Sequence, residues 1–152
     1  MFGAQNEAEN LLSKGFITDA QYSRIKFYPI DKFFSSDLYA QIKSAKRVYR
    51  ETPFNLKVSV SDFLENDLES ADDYILIQGA IDLFFEDKNG RVYVVDFKTD
   101  QVHKPDGEKI LARRHKRQIK YYCKAVSEIL SKPVSGAYIY SFALNQAVEV
   151  VL

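Results

Sequence analysis

Tyr74-Ile75-Leu76-Ile77-Gln78-Gly79-Ala80-Ile81-Asp82-Leu83-Phe84-Phe85 and Arg91-Val92-Tyr93-Val94-Val95-Asp96-Phe97-Lys98 are rich in β-branched and aromatic residues, and Asp87-Lys88-Asn89-Gly90 lies between them. Two strands joined by a tight turn are the direct reading. The turn type decides what the strands can do. A two-residue Asn-Gly loop sets Asp82 opposite Phe97 and puts it on the other face from Asp96. Alternatively, Asp87 at the first turn position and a left-handed Gly90 at the fourth make a three-residue loop with a bulge. Asp87 then pairs with Arg91, and Asp82 falls opposite Asp96. The turn residues suit the second register, and only that register assembles a site.

In that register the two carboxylates stand with Cβ atoms ~5 Å apart, and Lys98, two residues beyond Asp96, shares their face. Two ionised acids across a sheet repel, so a purely structural protein gains little from them. A divalent cation resolves the conflict. Oxygen donors without thiolate or imidazole suit magnesium (Mg2+) or manganese (Mn2+), which keep water and take up phosphate oxygens. Lys98 can orient or deprotonate an attacking water and neutralise charge developing on a phosphate. Taken singly, an Asp near a strand end or a Lys on an edge is ordinary; the joint pattern carries the reading. Asp96 also ends an apolar Val-Tyr-Val-Val run, and a buried carboxylate needs a partner.

Outward from this hairpin, the first part of the chain reads as helical. An apolar-spaced segment runs from Ala8 to Leu12, Thr18 with Gln21 forms a capping-box pattern, and Ser36-Asp37 can cap a helix carrying Leu38, Ile42 and Ala45. Phe54, Leu56, Val58 and Val60 alternate with polar residues as in a half-buried strand. Asn66 to Asp73 is a polar connection. A long helix is expected from about Glu108 to Leu130, closed by Lys132-Pro133, with two final strands around Asn145. Residues 1–152 thus form one unit, with a helical part over 1–45 and a sheet and helix over 46–152 that carry the chemistry. The abrupt start of the first helix suggests a domain excised from a larger protein.

The 152 residues are 46% hydrophobic, enough for a single core without staples. The lone Cys123 excludes an intrachain disulfide and a four-cysteine iron-sulfur cluster or zinc ribbon built by this chain alone. It sits in an apolar helical stretch and reads as an inert core thiol. No apolar run approaches the roughly 20 residues of a membrane span, and no signal sequence is visible, which favours the cytoplasm. Net charge is zero but uneven: 62–87 holds many acids and no Lys or Arg, whereas Lys109, Arg113, Arg114, Lys116, Arg117, Lys120 and Lys124 crowd the long helix. Such a run is a solvated face or a track for DNA phosphates.

Gly79-Ala80-Ile81-Asp82, Asp96-Phe97-Lys98-Thr99-Asp100, and Gln118 with Tyr122 and Ala125 resemble the GxID, DxKT and QxxxYxxA series of RecB-type nucleases in the PD-(D/E)XK superfamily. Arg50-Glu51-Thr52-Pro53-Phe54 and the helices before it resemble the AddA branch, so the likeness covers almost the whole chain. It implies an α/β fold of restriction-endonuclease type, a central mixed sheet flanked by helices. By the resemblance Asp82 and Asp96 are metal ligands with the Phe97 carbonyl as a further contact, and Lys98 is the catalytic lysine. Gln118 and Tyr122 join the catalytic set by orienting site and DNA from the helix; plain core packing is the other reading of Tyr122. Lys109, Arg113, Arg114, Arg117 and Lys120 are the candidate DNA contacts.

The implied activity is magnesium-dependent exonucleolytic hydrolysis of DNA in double-strand-break repair and recombination. A motor would deliver single-stranded DNA, and the implied partner is an AddB-like second subunit. No GxxxxGK[ST] phosphate loop occurs, so ATP belongs to a motor region outside these residues. Alternatives are a non-catalytic DNA-binding scaffold of the same fold and a free-standing phage- or CRISPR-type exonuclease. Two departures stand out. Family members carry a metal-binding His in an upstream helix that neither His103 nor His115 matches, which implies weak metal binding and poor cleavage by this chain alone. His115 takes a position where relatives often have Tyr, as a DNA-facing substitution or a solvated helix residue. Glu51 is expected to pair with Arg50 or a neighbouring Lys, with approach to the metal as the alternative.

Overall fold

The structure is a computed structural model that describes residues 3–64 and 73–152. The polar connection expected over Asn66 to Asp73 lies outside the described residues except at its end. Four helices lead: α1 (Ala4–Ser13), α2 (Asp19–Tyr22), α3 (Phe27–Phe34) and α4 (Asp37–Ser44). Both anticipated caps form. Thr18 and Gln21 make the reciprocal capping box, and Ser36 Oγ accepts from the Tyr39 amide at 3.2 Å. The capping box opens only a four-residue helix, and α3 follows as a separate element with Pro29 in its first turn, where a missing N–H costs nothing.

The remainder is β1 (Arg47–Ser59), α5 (Val60–Leu64), β2 (Tyr74–Glu86), β3 (Val92–Lys98), α6 (Gly107–Leu130), β4 (Val134–Ser141) and β5 (Gln146–Glu149). The strands lie in the order β1-β2-β3-β4-β5. All neighbours are antiparallel except β3 and β4, whose parallel pairing requires the crossover that α6 supplies. This is the α/β architecture expected, a mixed five-stranded sheet with helices on its faces. α6 ends at Ser131 in left-handed backbone, followed by Pro133, which cannot continue a helix.

Alternation along the central strands sorts their side chains to two cores. Phe84, Val92, Val94, Ala137 and Ile139 pack with Ile119, Tyr122 and Val126 of α6. Leu83, Phe85, Val95 and Tyr140 face the other way, against Leu38 and Ile42 of α4 and Phe33 of α3. Each fully buried Phe, Leu or Val contributes about 1.5–3 kcal/mol relative to exposure. β2 pairs with β3 only over Leu83–Glu86, while it pairs with β1 along nearly its whole length. The two central strands therefore diverge just where the acids lie.

At the far end of the same hairpin Glu86 is almost wholly buried. Lys132 Nζ donates to its Oε1 at 2.7 Å, and Lys46 Nζ stands 3.8 Å from the same oxygen. The Lys132 hydrogen bond, ahead of opposing desolvation, holds the Glu86 carboxyl below its ordinary value. A depressed acid contributes stability above its unfolded value and loses it as pH falls through the folded one. Melting temperature should thus drop more steeply at acid pH in the wild type than in Glu86→Gln. Parallel curves would remove Glu86 from the acid transition.

Candidate metal and phosphate site

The turn at Asp87 builds the site's register. Asp87 Oδ1 accepts from the Asn89 and Arg91 amides at 2.8 and 2.9 Å, the Asp87 amide donates to the Arg91 carbonyl at 2.9 Å, and Gly90 has φ 82°. This is the three-residue loop with left-handed glycine. The ladder then runs Glu86 with Val92 to Leu83 with Val95, and one step further brings Asp82 level with Asp96. Pairing stops before that step. Instead of standing directly across the ladder, Asp82 reaches over the gap and its Oδ2 accepts from the Phe97 amide at 2.9 Å.

Asp96 is 0% exposed. Lys98 Nζ lies 3.0 Å from its Oδ1, to which it donates, and 2.8 Å from Oδ2. Oδ2 is approached at an angle unsuited to a hydrogen bond and is left without a partner of that kind among the described residues. Burial pushes the Asp96 carboxyl above the usual carboxylate range, the Lys98 ammonium pulls against it, and the Asp82 charge adds to the push. The chemistry of the donors fits a hard cation: two acids that repel, and a buried oxygen still lacking a hydrogen bond. Among the described residues no group of three or more His, Cys, Asp or Glu side chains converges as a metal cage.

β1 adds an acid whose position is not legible from sequence. Between the pairs Arg50 with Leu83 and Thr52 with Ile81, Glu51 falls opposite Asp82, and its backbone is left-handed at φ 47°. The alternation slips here in both strands: Tyr49 and Phe54 of β1, and Phe84 and Ile81 of β2, all belong to the core under α6. A non-glycine residue at positive φ is uncommon in a strand, and such strain gathers at functional sites. The expected ion pair with Arg50 or a lysine is not made: among the described residues Glu51 has none within 4.0 Å.

From α6, Gln118 Nε2 donates to Tyr122 Oη at 2.8 Å, and the Tyr122 ring meets Phe54 edge-on at 5.6 Å. Desolvation raises the Tyr122 hydroxyl above its ordinary value, with Asp96, Asp82 and Glu51 adding their charges. Tyr122 is therefore both core and site neighbour. A second group is invisible in the sequence pattern: Asp100 Oδ1 accepts from Arg114 and lies 3.2 Å from His115 Nε2, so His115 is held by a carboxylate. The partners are 14 and 15 residues apart, joined only by the turn from β3 into α6. Burial pushes the Cys123 thiol up to about 12, which keeps it an unreactive core group.

The basic residues of α6 divide by environment. Arg114 is tied to Asp100, and Arg117 lies over the Phe63 ring at 4.2 Å from its centroid. Lys109, Arg113 and Lys120 are exposed and make no ion pair among the described residues. No described helix is long and apolar enough to cross a membrane.

The sequence profile of the PD-(D/E)XK nuclease superfamily matches residues 7–150. The A subunit of the ATP-dependent helicase/nuclease from Bacillus licheniformis is 36% identical over 140 residues, taking in 88% of this chain and 11% of that protein. Its namesake from Thermoanaerobacter sp. is 35% identical over 149 residues, 97% of this chain and 12% of that protein. The Clostridium perfringens namesake is 33% identical over 153 residues, 96% and 12% respectively. The chain spans about 12% of the length of these curated relatives. Fold, strand register and sequence match together show that it belongs to the PD-(D/E)XK nuclease superfamily.

Proposed function

We propose that this chain hydrolyses DNA phosphodiester bonds with magnesium, as the nuclease unit of a cytoplasmic helicase-nuclease that processes double-strand breaks. The observation that carries the proposal is buried Asp96, held by Lys98 and facing Asp82 where β2 and β3 part. Asp82 and Asp96 would hold the cation. The Phe97 carbonyl would give a third contact, because the N–H and C=O of a strand residue project to the same edge and its N–H already meets Asp82. When bound, magnesium supplies Lewis-acid activation of the phosphate and lowers the pKa of bound water. Lys98 holds a proton-bearing ammonium beside the site for charge developing on the phosphate. The Tyr122 hydroxyl, fixed by Gln118, orients the substrate. Motor delivery of single strands, an ATP-driven region and a second, AddB-like subunit follow from the relatives' name and from the motif resemblance.

Two carboxylates and one carbonyl leave magnesium largely hydrated and weakly held until DNA phosphate completes its shell. Cleavage of single-stranded DNA is therefore expected only at magnesium well above micromolar levels, with manganese as a substitute, and is lost in Asp96→Ala. Cleavage that survives both EDTA and Asp96→Ala would refute the proposal.

The exposed cations of α6 are assigned to the DNA backbone. Reversing Lys109, Arg113 and Lys120 to Glu should weaken single-strand binding at least tenfold at low salt. It should also flatten the slope of log affinity against log salt by about 0.7 for each phosphate no longer neutralised. Unchanged affinity would leave these residues as a solvated face.

A further inference from the structure

A cavity of ≈ 560 Å³ lies beyond the carboxyl ends of the parallel pair β3 and β4. Thr99 and Gln101 border it from the segment that follows β3, Phe142 and Asn145 from the turn that follows β4, and Lys26 and Ile30 from the start of α3. The Phe142 amide donates to the Lys98 carbonyl at 3.0 Å, so one wall is fastened to the last residue of the strand that carries Asp96 and Lys98. Ligands of open α/β sheets bind outside the carboxyl ends of parallel strands, and the size is that of a small-molecule pocket.

The lining is selective in kind. It is mainly apolar with an aromatic ring, has two carboxamides and one ammonium, and contains no acid. Phe142 is half-buried against Phe33, Phe97 and Tyr140, which fixes its ring. Asn145 Oδ1 is buried and has no hydrogen-bond partner among the described residues. The left-handed backbone of Asn145, at φ 54°, accounts for an Asn in the turn but not for an acceptor left unpaired. Such a cavity suits a flat, weakly polar group with an N–H edge, carried by an anion that Lys26 can meet at the rim.

We propose that this cavity seats one unpaired base of the DNA strand, next to the phosphate being cut, with the base against Phe142 and its N–H edge on Asn145 Oδ1. The inference rests on the nuclease reading above for the position of that phosphate. A base still in a duplex has its Watson–Crick edge engaged and its faces stacked, so the cavity would give the site a preference for single strands.

The test is equilibrium binding of short single-stranded oligonucleotides without metal, with one abasic residue walked from the end, run alongside magnesium-dependent cleavage of the same strands. One abasic position should weaken binding about tenfold, the effect of losing one base–aromatic contact. In Phe142→Ala, and in Asn145→Gly, which keeps the turn backbone accessible, the intact strand should bind more weakly and the abasic penalty should shrink to less than about twofold. Gln101→Ala, at an exposed position, is expected to reduce it partly and covers the case in which Phe142→Ala does not fold. A flat abasic profile, or a penalty unchanged in all three variants, would overturn the cavity assignment while leaving the nuclease intact. Loss of cleavage with a position-specific binding penalty retained would instead overturn the nuclease reading and keep the base site.

Discussion

Asp96→Asn should slow DNA cleavage by about three orders of magnitude, ~4 kcal/mol of transition-state stabilisation, without lowering the stability of the metal-free protein. The two halves of this expectation come from the same burial. Asp96 is 0% exposed and its carboxyl is pushed upward, so its ionised form is tolerated rather than favoured in the fold. Asn is nearly isosteric and removes that charge. The Lys98 side chain it leaves behind is 17% exposed and can turn to water. Single-turnover cleavage and thermal melting in EDTA check both parts. A large loss of melting temperature with cleavage merely reduced in proportion to unfolding would make Asp96 structural.

Lys98→Met should lose activity on a similar scale but behave oppositely in stability. Without the ammonium, Asp96 is a buried carboxylate with no cation nearby, and breaking such a pair from one side costs about 3–5 kcal/mol as an upper bound, since the acid can protonate instead. Its folded pKa then rises further above the unfolded one. A raised acid favours the fold below its unfolded value, and that contribution is lost as pH climbs to the folded value. The variant should therefore melt well below wild type at neutral pH and recover as the solution is acidified. The double change Asp96→Asn with Lys98→Met should restore most of the loss at neutral pH. Additive destabilisation in the double variant would show that the ion pair is not the cause.

What can be read from the sequence follows the range of the interactions involved. The turn at Asp87 to Gly90 is specified by adjacent residues, so the register of β2 and β3 follows from it. α6 is legible from its length and from Pro133. α3 is not, because Pro29 reads as a breaker unless the helix start is known to lie at Phe27. β1 begins at Arg47, ahead of the clear alternation from Phe54, since the slip at Glu51 disrupts the period on which the reading depends. The same slip hides the position of Glu51 opposite Asp82. Likewise the contact of Asp100 with His115 depends on how α6 leaves β3, a tertiary fact that no local pattern encodes. The acids and the lysine stand out in the sequence, but the end of the ladder at Leu83 and Val95, which turns Asp82 toward the Phe97 amide, does not.

The placement of Asp82 and Asp96 on two arms of one hairpin also bears on how the protein comes to exist. Hairpins close in about 1–10 μs, whereas a parallel pair must wait for its whole crossover to order. The like-charged acids are thus brought together early, before α6 can bury them and while water still screens their repulsion. Docking of α6, which carries Gln118 and Tyr122, then desolvates a pair already in register. The energetic cost of the site falls on the late, consolidating part of folding, so its acids should influence the unfolding rate more than the rate at which the chain first collapses.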